Sequence, residues 1–197
     1  MRKRRLVVGL TGTFGSGKTT ATQAFKALGA ETIDSDELVR AMYESRNPLV
    51  RKAEKLLNLK KFNRKSAAKI VFSNIKLRKA LERMVHPFVF KSIQRKLAQW
   101  KSGLVVIEMP LLFETGFFKK TDTNILVTAP KASIQKRLEK KGFSKAEIKR
   151  RQAAQWSLKE KAKKADFIIQ NNGNRKQLKE KVNMIFRQLD NDLKRRI

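Results

Sequence analysis

Gly12-Thr13-Phe14-Gly15-Ser16-Gly17-Lys18-Thr19 satisfies the pattern G-x-x-x-x-G-K-[ST] at every fixed position. Each fixed residue type has a physical task. Glycines let the backbone wrap an anion with its N–H groups turned inward, and a helix beginning near Lys18 aims its positive end at the same point. Lys18 then reaches β and γ phosphates, and the Thr19 hydroxyl is placed to ligate Mg²⁺. Gly12 through Thr20 is therefore the candidate segment for binding a nucleoside triphosphate. The apolar run before it and the helical spacing after it separate this segment from a chance glycine-rich turn.

Asp34 and Asp36 form a second constellation, just past a short apolar stretch. Phosphoryl transfer to a hydroxyl needs one carboxylate to orient or deprotonate the acceptor and another acidic or hydroxyl group near the metal. An i, i+2 pair on a turn can divide those tasks, with Asp34 on the metal side. The ordinary reading is a helix cap, with Ser35 or Asp36 capping the helix that follows. Glu108 ends another apolar run, where a metal-side carboxylate is often found in phosphate-loop proteins, and Glu114 follows shortly after.

Five short apolar segments must position these groups. Leu6–Leu10, Thr32-Ile33, Leu104–Ile107, Thr123–Thr128 and Phe167–Ile169 read as strands, separated by stretches with helical spacing. That alternation predicts an α/β fold, a five-stranded parallel sheet with helices on both faces. The stretch from about 37 to 102 holds helical patterns and no strong strand, and reads as a helical insertion. Its Leu77, Leu81, Met84, Val85, Phe88 and Ile93 form a periodic face. A second excursion, about 138 to 165, is dense in Lys and Arg. Pro130 marks a helix start, and Pro110 through Glu114 reads as a strand end running into a helix. Trp100 and Trp156 belong to no motif and read as core.

Composition bounds the alternatives. The 197 residues carry 47 Lys and Arg against 17 Asp and Glu, a net charge of +30, so anionic ligands are favoured. Hydrophobic residues at 41% suffice for a core, so the charge does not imply disorder. There is no cysteine and one histidine, which excludes disulfides, thiolate metal sites and multi-histidine centres and fits a reducing, cytoplasmic compartment. The apolar runs are far shorter than the ~20 residues a membrane span needs. Arg2 to Arg5 resemble the start of a signal peptide, but the apolar run after them is too short. No Asn-Lys-x-Asp base-reading motif argues for a GTPase, and the length disfavours an ATPase motor with a helicase core. A small-molecule kinase fits best, with another nucleotide kinase or a basic nucleic-acid-binding ATPase as alternatives. The aromatics, 8% and mostly Phe, form no base-stacking array, so no specific nucleic acid is expected.

Several ordered motifs then resemble one family, dephospho-coenzyme A kinase. Leu10 through Thr19 is similar to its phosphate loop, and Ile33-Asp34-Ser35-Asp36 to its Asp-Ala-Asp turn. Asn63-Arg64 with Ile70-Val71-Phe72, Val85-His86-Pro87 and Met109-Pro110-Leu111-Leu112-Phe113-Glu114 are similar to segments of its substrate lobe and Pro-Leu-Leu-Phe-Glu signature. Arg151-Gln152-Ala153-Ala154-Gln155 and Ala165 through Gly173 are similar to its lid and final strand. The resemblance implies a single phosphate-loop kinase domain with a helical substrate lobe and a basic lid. It implies ATP- and Mg²⁺-dependent phosphorylation of the ribose 3′-hydroxyl of dephospho-coenzyme A, the last step of coenzyme A synthesis, by a cytoplasmic monomer or weak homo-oligomer away from membranes. Lys18, Asp36, Arg137, Lys141 and Arg151 are the catalytic set it implies, with Asp36 as the base. Asp34, Asp36, Arg64, His86, Pro110, Leu111 and Glu114 would face the acceptor, Thr19 and Asp34 the metal, and Asn172 the adenine.

Three features depart from the family pattern. The phosphate loop reads Gly-Thr-Phe where the family usually has Gly-Gly-Ile. In the lid, Lys141-Gly142 stands where an arginine and an aspartate are usual. Lysine keeps the charge but not the bidentate fork. The lobe is also shorter around Leu56 to Asn63.

Overall fold

The computed structural model describes residues 5–45 and 47–195. Arg2 to Arg4, the charged part of the signal-like start, lie outside the described residues. The chain runs β1 (Arg5–Gly12), α1 (Lys18–Ala27), β2 (Glu31–Asp34), α2 (Ser35–Glu44), α3 (Pro48–Leu57), α4 (Arg64–Ser73), α5 (Ile75–Gln99) and β3 (Gly103–Glu108). A 3₁₀ turn (Phe117–Lys120) leads to β4 (Thr123–Thr128), α6 (Lys131–Glu139), α7 (Lys145–Ala153), α8 (Leu158–Ala162), β5 (Phe167–Gln170) and α9 (Arg175–Arg195).

The strands form one parallel sheet in the order β2-β3-β1-β4-β5. The expected five-stranded α/β architecture is what the chain adopts. On one face, Leu6, Val8, Leu10, Leu104, Val106, Ile125, Val127 and Ile169 pack with Ala21, Ala24 and Phe25 of α1 and with Leu178, Val182, Leu189 and Leu193 of α9. Residues of the other parity, Val7, Val105, Ile107 and Leu126, are equally buried, which is why these strands are apolar without alternation. Two aspartates set register at strand starts. Asp122 accepts from the Val7 N–H at 2.8 Å, and Asp166 accepts from the Asn124 N–H at 2.7 Å.

The chain divides into two compact units, Met1–Asp34 with Lys96–Ile197, and Ser35–Arg95. The first holds the sheet. The second is helical around Leu57, Ala67 and Val71, with Leu77 and Leu81 packed against them, and Tyr43 stacks on Phe62 at 3.6 Å. Val85, Val89 and Ile93 are the buried positions of α5, while Met84 and Phe88 of the expected face are half-buried. Asn47 and Asn63 cap α3 and α4 through their side chains.

Three local expectations are corrected. Ser35 and Asp36 lie inside the first turn of α2 and do not precede it as caps. Pro110 through Glu114 is a run of turns entering the 3₁₀ segment rather than a helix: i→i−3 bonds from Leu112 to Met109 and from Gly116 to Phe113 flank a single α-type bond from Thr115 to Leu111, so no i→i−4 ladder builds up. Trp100 and Trp156 are only half-buried. No helix among the described residues is long and apolar enough to cross a membrane.

Candidate active site

β1 is the central strand, and its carboxyl end opens directly into the glycine loop, with α1 starting at Lys18. Ligands of open parallel sheets bind at this end of the strands. A Cβ at Gly12 would strike the Val127 carbonyl and lie 2.6 Å from Ser16 Oγ, so the loop can close only with glycine there. Gly15 and Gly17 adopt left-handed φ of 84° and 101°, and the Ser16 N–H donates to the Thr13 carbonyl at 3.1 Å. Such a turn gathers N–H groups into an anion-binding concavity. The first turn of α1 carries no acidic residue to compete for its positive end.

Lys18 lies over this loop. It is 92% buried, and its Nζ donates to the Gly12 and Thr13 carbonyls at 3.2 Å each. The Thr13 and Ser16 hydroxyls are buried without a hydrogen-bond partner. Buried polar atoms left this way mark a surface suited to a polar ligand.

Thr19 faces the carboxylates. Its Oγ1 donates to Glu108 Oε1 at 2.9 Å. Glu108 pairs in register with Asp34 on β2, so both carboxylates end neighbouring strands. Burial, and then the Asp34 charge, push the Glu108 carboxyl above its usual range, against the opposing pull of Thr19, Thr22 and Lys18. Thr22 is close, yet neither its hydroxyl nor Glu108 Oε2 makes a well-formed hydrogen bond. A hydroxyl and two carboxylates are hard oxygen donors, and an orphaned Oε2 among them suits a divalent cation. Such donors fit Mg²⁺, which takes one or two carboxylates and keeps several waters beside substrate phosphates.

The segment from α7 to α8 joins the glycine loop to the turn after β3. Gln155 accepts the Phe14 N–H on Oε1 at 2.9 Å and donates from Nε2 to the Pro110 carbonyl at 3.2 Å. Lys161 is fully buried, donates to the same carbonyl at 2.9 Å and pairs with Glu114 at 2.9 Å. Burial lowers the Lys161 ammonium pKa and Glu114 partly restores it. Glu114 Oε1 also accepts the Trp156 N–H at 2.8 Å, while its Oε2 is buried without a partner. Arg151 forks onto Glu147 through Nε and Nη2 at 3.1 and 2.8 Å.

The first unit thus brings together Gly12 through Thr20, Asp34, Pro110, Glu114 and Arg151, with Leu111 half-buried on the Pro110 turn. Arg137, in the last turn of α6, is half-buried, and Lys141, just beyond that helix, is exposed. Asn172 is exposed and accepts from Lys181 at 2.9 Å, beside a cavity of about 470 Å³ lined also by Gly173, Gln177, Glu180 and Met184. Asp36, Arg64 and His86 belong to the helical unit. Asp36 and Arg64 are exposed at helix starts, and His86 is half-buried in α5 beside the Phe90 ring, its pKa lowered by burial.

Sequence reasoning gives no role to Gln155 or Lys161, and sets Asn171 only in the Asn171-Asn172-Gly173 turn expected near the adenine. Asn171 is the residue of the Asn-Asn-Gly turn that holds the loop: its Nδ2 donates to the Ser16 carbonyl at 2.8 Å, and a Cβ on Gly17 would strike it. Gln155 and Asn171 stood inside quoted motifs. Lys161 was one basic residue among 47, with no local signal.

The profile of the dephospho-CoA kinase family matches residues 6–177. A dephospho-CoA kinase from Geobacillus kaustophilus is 37% identical over 94% of this chain and 97% of its own length. One from Aquifex aeolicus is 31% identical over 94% and 98%. Among solved structures, a Thermus thermophilus protein superposes with a TM-score of 0.79 at 30% identity, covering 95% of this chain and 99% of that one. A dephospho-CoA kinase from Campylobacter jejuni gives 0.66 at 26% identity, covering 94% and 97%. A shikimate kinase from Acinetobacter baumannii shares the fold, with a TM-score of 0.55 at 13% identity.

Proposed function

The chain belongs to the dephospho-CoA kinase family, and on that premise we propose that it transfers the γ-phosphoryl group of ATP to the ribose 3′-hydroxyl of dephospho-coenzyme A, completing coenzyme A. The observation that carries this reading is the glycine loop and Lys18 at the end of the central strand, with Thr19, Glu108 and Asp34 beside it.

In this reading the loop N–H groups and Lys18 bind the β and γ phosphates. The acceptor oxygen attacks the γ phosphorus, the bond to the β–γ bridging oxygen breaks, and ADP departs. Asp36 orients the attacking hydroxyl and takes its proton. Arg137, Lys141 and Arg151 stabilise charge on the transferring group. Thr19, Asp34 and Glu108 would hold Mg²⁺, which supplies charge neutralisation on the phosphates when bound. Arg64, His86, Pro110, Leu111 and the unpartnered Oε2 of Glu114 serve the acceptor, and Asn172 the adenine. The reading places the enzyme in the cytoplasm, a reducing compartment that the lack of cysteine fits, as a monomer or weak homo-oligomer without a nucleic-acid partner.

The test is ADP release by the purified protein across a panel of acceptors. The expected outcome is turnover that requires both Mg²⁺ and dephospho-coenzyme A. Turnover with gluconate, shikimate or a nucleoside monophosphate, and none with dephospho-coenzyme A, overturns the acceptor assignment.

A further inference from the structure

The glycine loop and the α6–α7 segment meet at one place in the fold. Gly142 takes a left-handed φ of 83° just past α6, and the Phe143 N–H returns to the Leu138 carbonyl at 3.1 Å. That turn brings Phe143 onto a small cluster of Ile134, Leu138 and Ile148, between α6 and α7. Phe14, at the tip of the glycine loop, packs into the same cluster. Its ring meets Phe143 edge to face, with centroids 5.1 Å apart and planes at 86°. The Arg151 guanidinium carbon lies 5.1 Å from the Phe14 centroid and 5.0 Å from that of Phe143. Residue 14 is held by its backbone too, through the N–H given to Gln155.

We propose that Phe14 is a positioning residue, which docks the α6–α7 segment on the phosphate loop and, with Phe143, aims Arg151 at the phosphates that loop binds. This rests on the role given to Arg151 above. The chemistry favours it for three reasons. A guanidinium beside two aromatic faces gains cation–π attraction while its in-plane N–H fork remains directed by the ring geometry. Glu147, one turn earlier on α7, accepts two of those N–H groups and fixes the guanidinium further. An aliphatic residue at position 14 would fill the cluster but offer no π face.

A double-mutant cycle on ATP affinity tests this without needing an acceptor. Titration calorimetry with ATP and Mg²⁺ would be run on the wild type, Phe14→Leu, Arg151→Ala and the double variant, with melting curves confirming that each is folded. Phe14→Leu should weaken ATP binding about five-fold, the size of one lost ring–cation contact. Arg151→Ala should weaken it about ten-fold, as loss of one charge-assisted contact does. The double variant should match Arg151→Ala within about two-fold, since the ring acts through the arginine. Phe14→Tyr, which restores the face, should return affinity to within about two-fold of wild type. Losses that multiply in the double variant, or an unaltered Phe14→Leu, overturn the inference. Unchanged affinity in Arg151→Ala overturns it together with the arginine's assigned role. Failure of dephospho-coenzyme A as acceptor, with the cycle intact, overturns only the acceptor reading.

Discussion

Glu108 and Asp34 end neighbouring parallel strands in register, so two carboxylates share one end of the sheet. Burial and that neighbour push the Glu108 carboxyl above the usual carboxylate range. The sign follows from linkage. An acid whose pKa is raised on folding stabilises the fold most below its unfolded value, and that contribution is lost as pH rises through the folded value. Glu108→Gln should therefore melt higher than wild type without nucleotide, with a wider gap at pH 8 than at pH 5. It should also lose at least about ten-fold in turnover, as disturbance of a metal-side group does. Equal melting at both pH values would show that Glu108 carries no such penalty. Asp36→Asn makes the complementary case. Removal of a positioned base should cost about 10²–10⁴-fold in kcat and leave ATP affinity within about two-fold. Unchanged turnover would remove Asp36 as the base.

Between elements, the turn after β3 is held from the α7–α8 segment at one backbone atom. The Pro110 carbonyl accepts from both Gln155 and Lys161, and Glu114 closes the circuit through Lys161 and Trp156. Lys161 is fully buried and Glu114 is 12% exposed, so removing one partner strands the other's charge. Lys161→Ala should destabilise the protein by about 3–5 kcal/mol in urea unfolding, whereas Lys161→Met with Glu114→Gln should recover most of that loss. A Lys161→Ala cost below about 1 kcal/mol would mean the pair is effectively solvated. α8 starts at the Ser157–Glu160 capping box, and Lys161 is the buried side chain among its five residues.

Across the whole molecule, a net charge of +30 exceeds what the proposed phosphate contacts use. The residues proposed for that task, Lys18, Arg137, Lys141 and Arg151, are a handful of the 47 basic residues. The surplus predicts salt-sensitive binding to any polyanion, through counterion release. Fluorescence anisotropy with a labelled DNA duplex should show binding at low salt that is largely gone by about 0.2 M. Nanomolar affinity surviving at that salt, and modulated by ATP, would point to a nucleic-acid function instead.

Local spacing by itself determined the phosphate loop, the strands and the class of chemistry, because the loop's geometry depends on glycines a few residues apart and on the strand and helix that flank them. The order of motifs along the chain likewise determined the family. Tertiary structure decided what holds that loop in place. Gln155 reaches Phe14 across 141 residues and Asn171 reaches Ser16 across 155, and neither pairing leaves a local pattern. Lys161 reads in the sequence as one more solvated charge, yet the fold buries it completely. Phe14 reads in the sequence as one member of the triphosphate-binding loop, and only the packing of α6 and α7 makes it a neighbour of Phe143 and Arg151. Spacing encodes what adjacent residues can do. The partner of a side chain more than a hundred residues away is set by the order of parallel strands, β2-β3-β1-β4-β5, which no stretch of sequence displays.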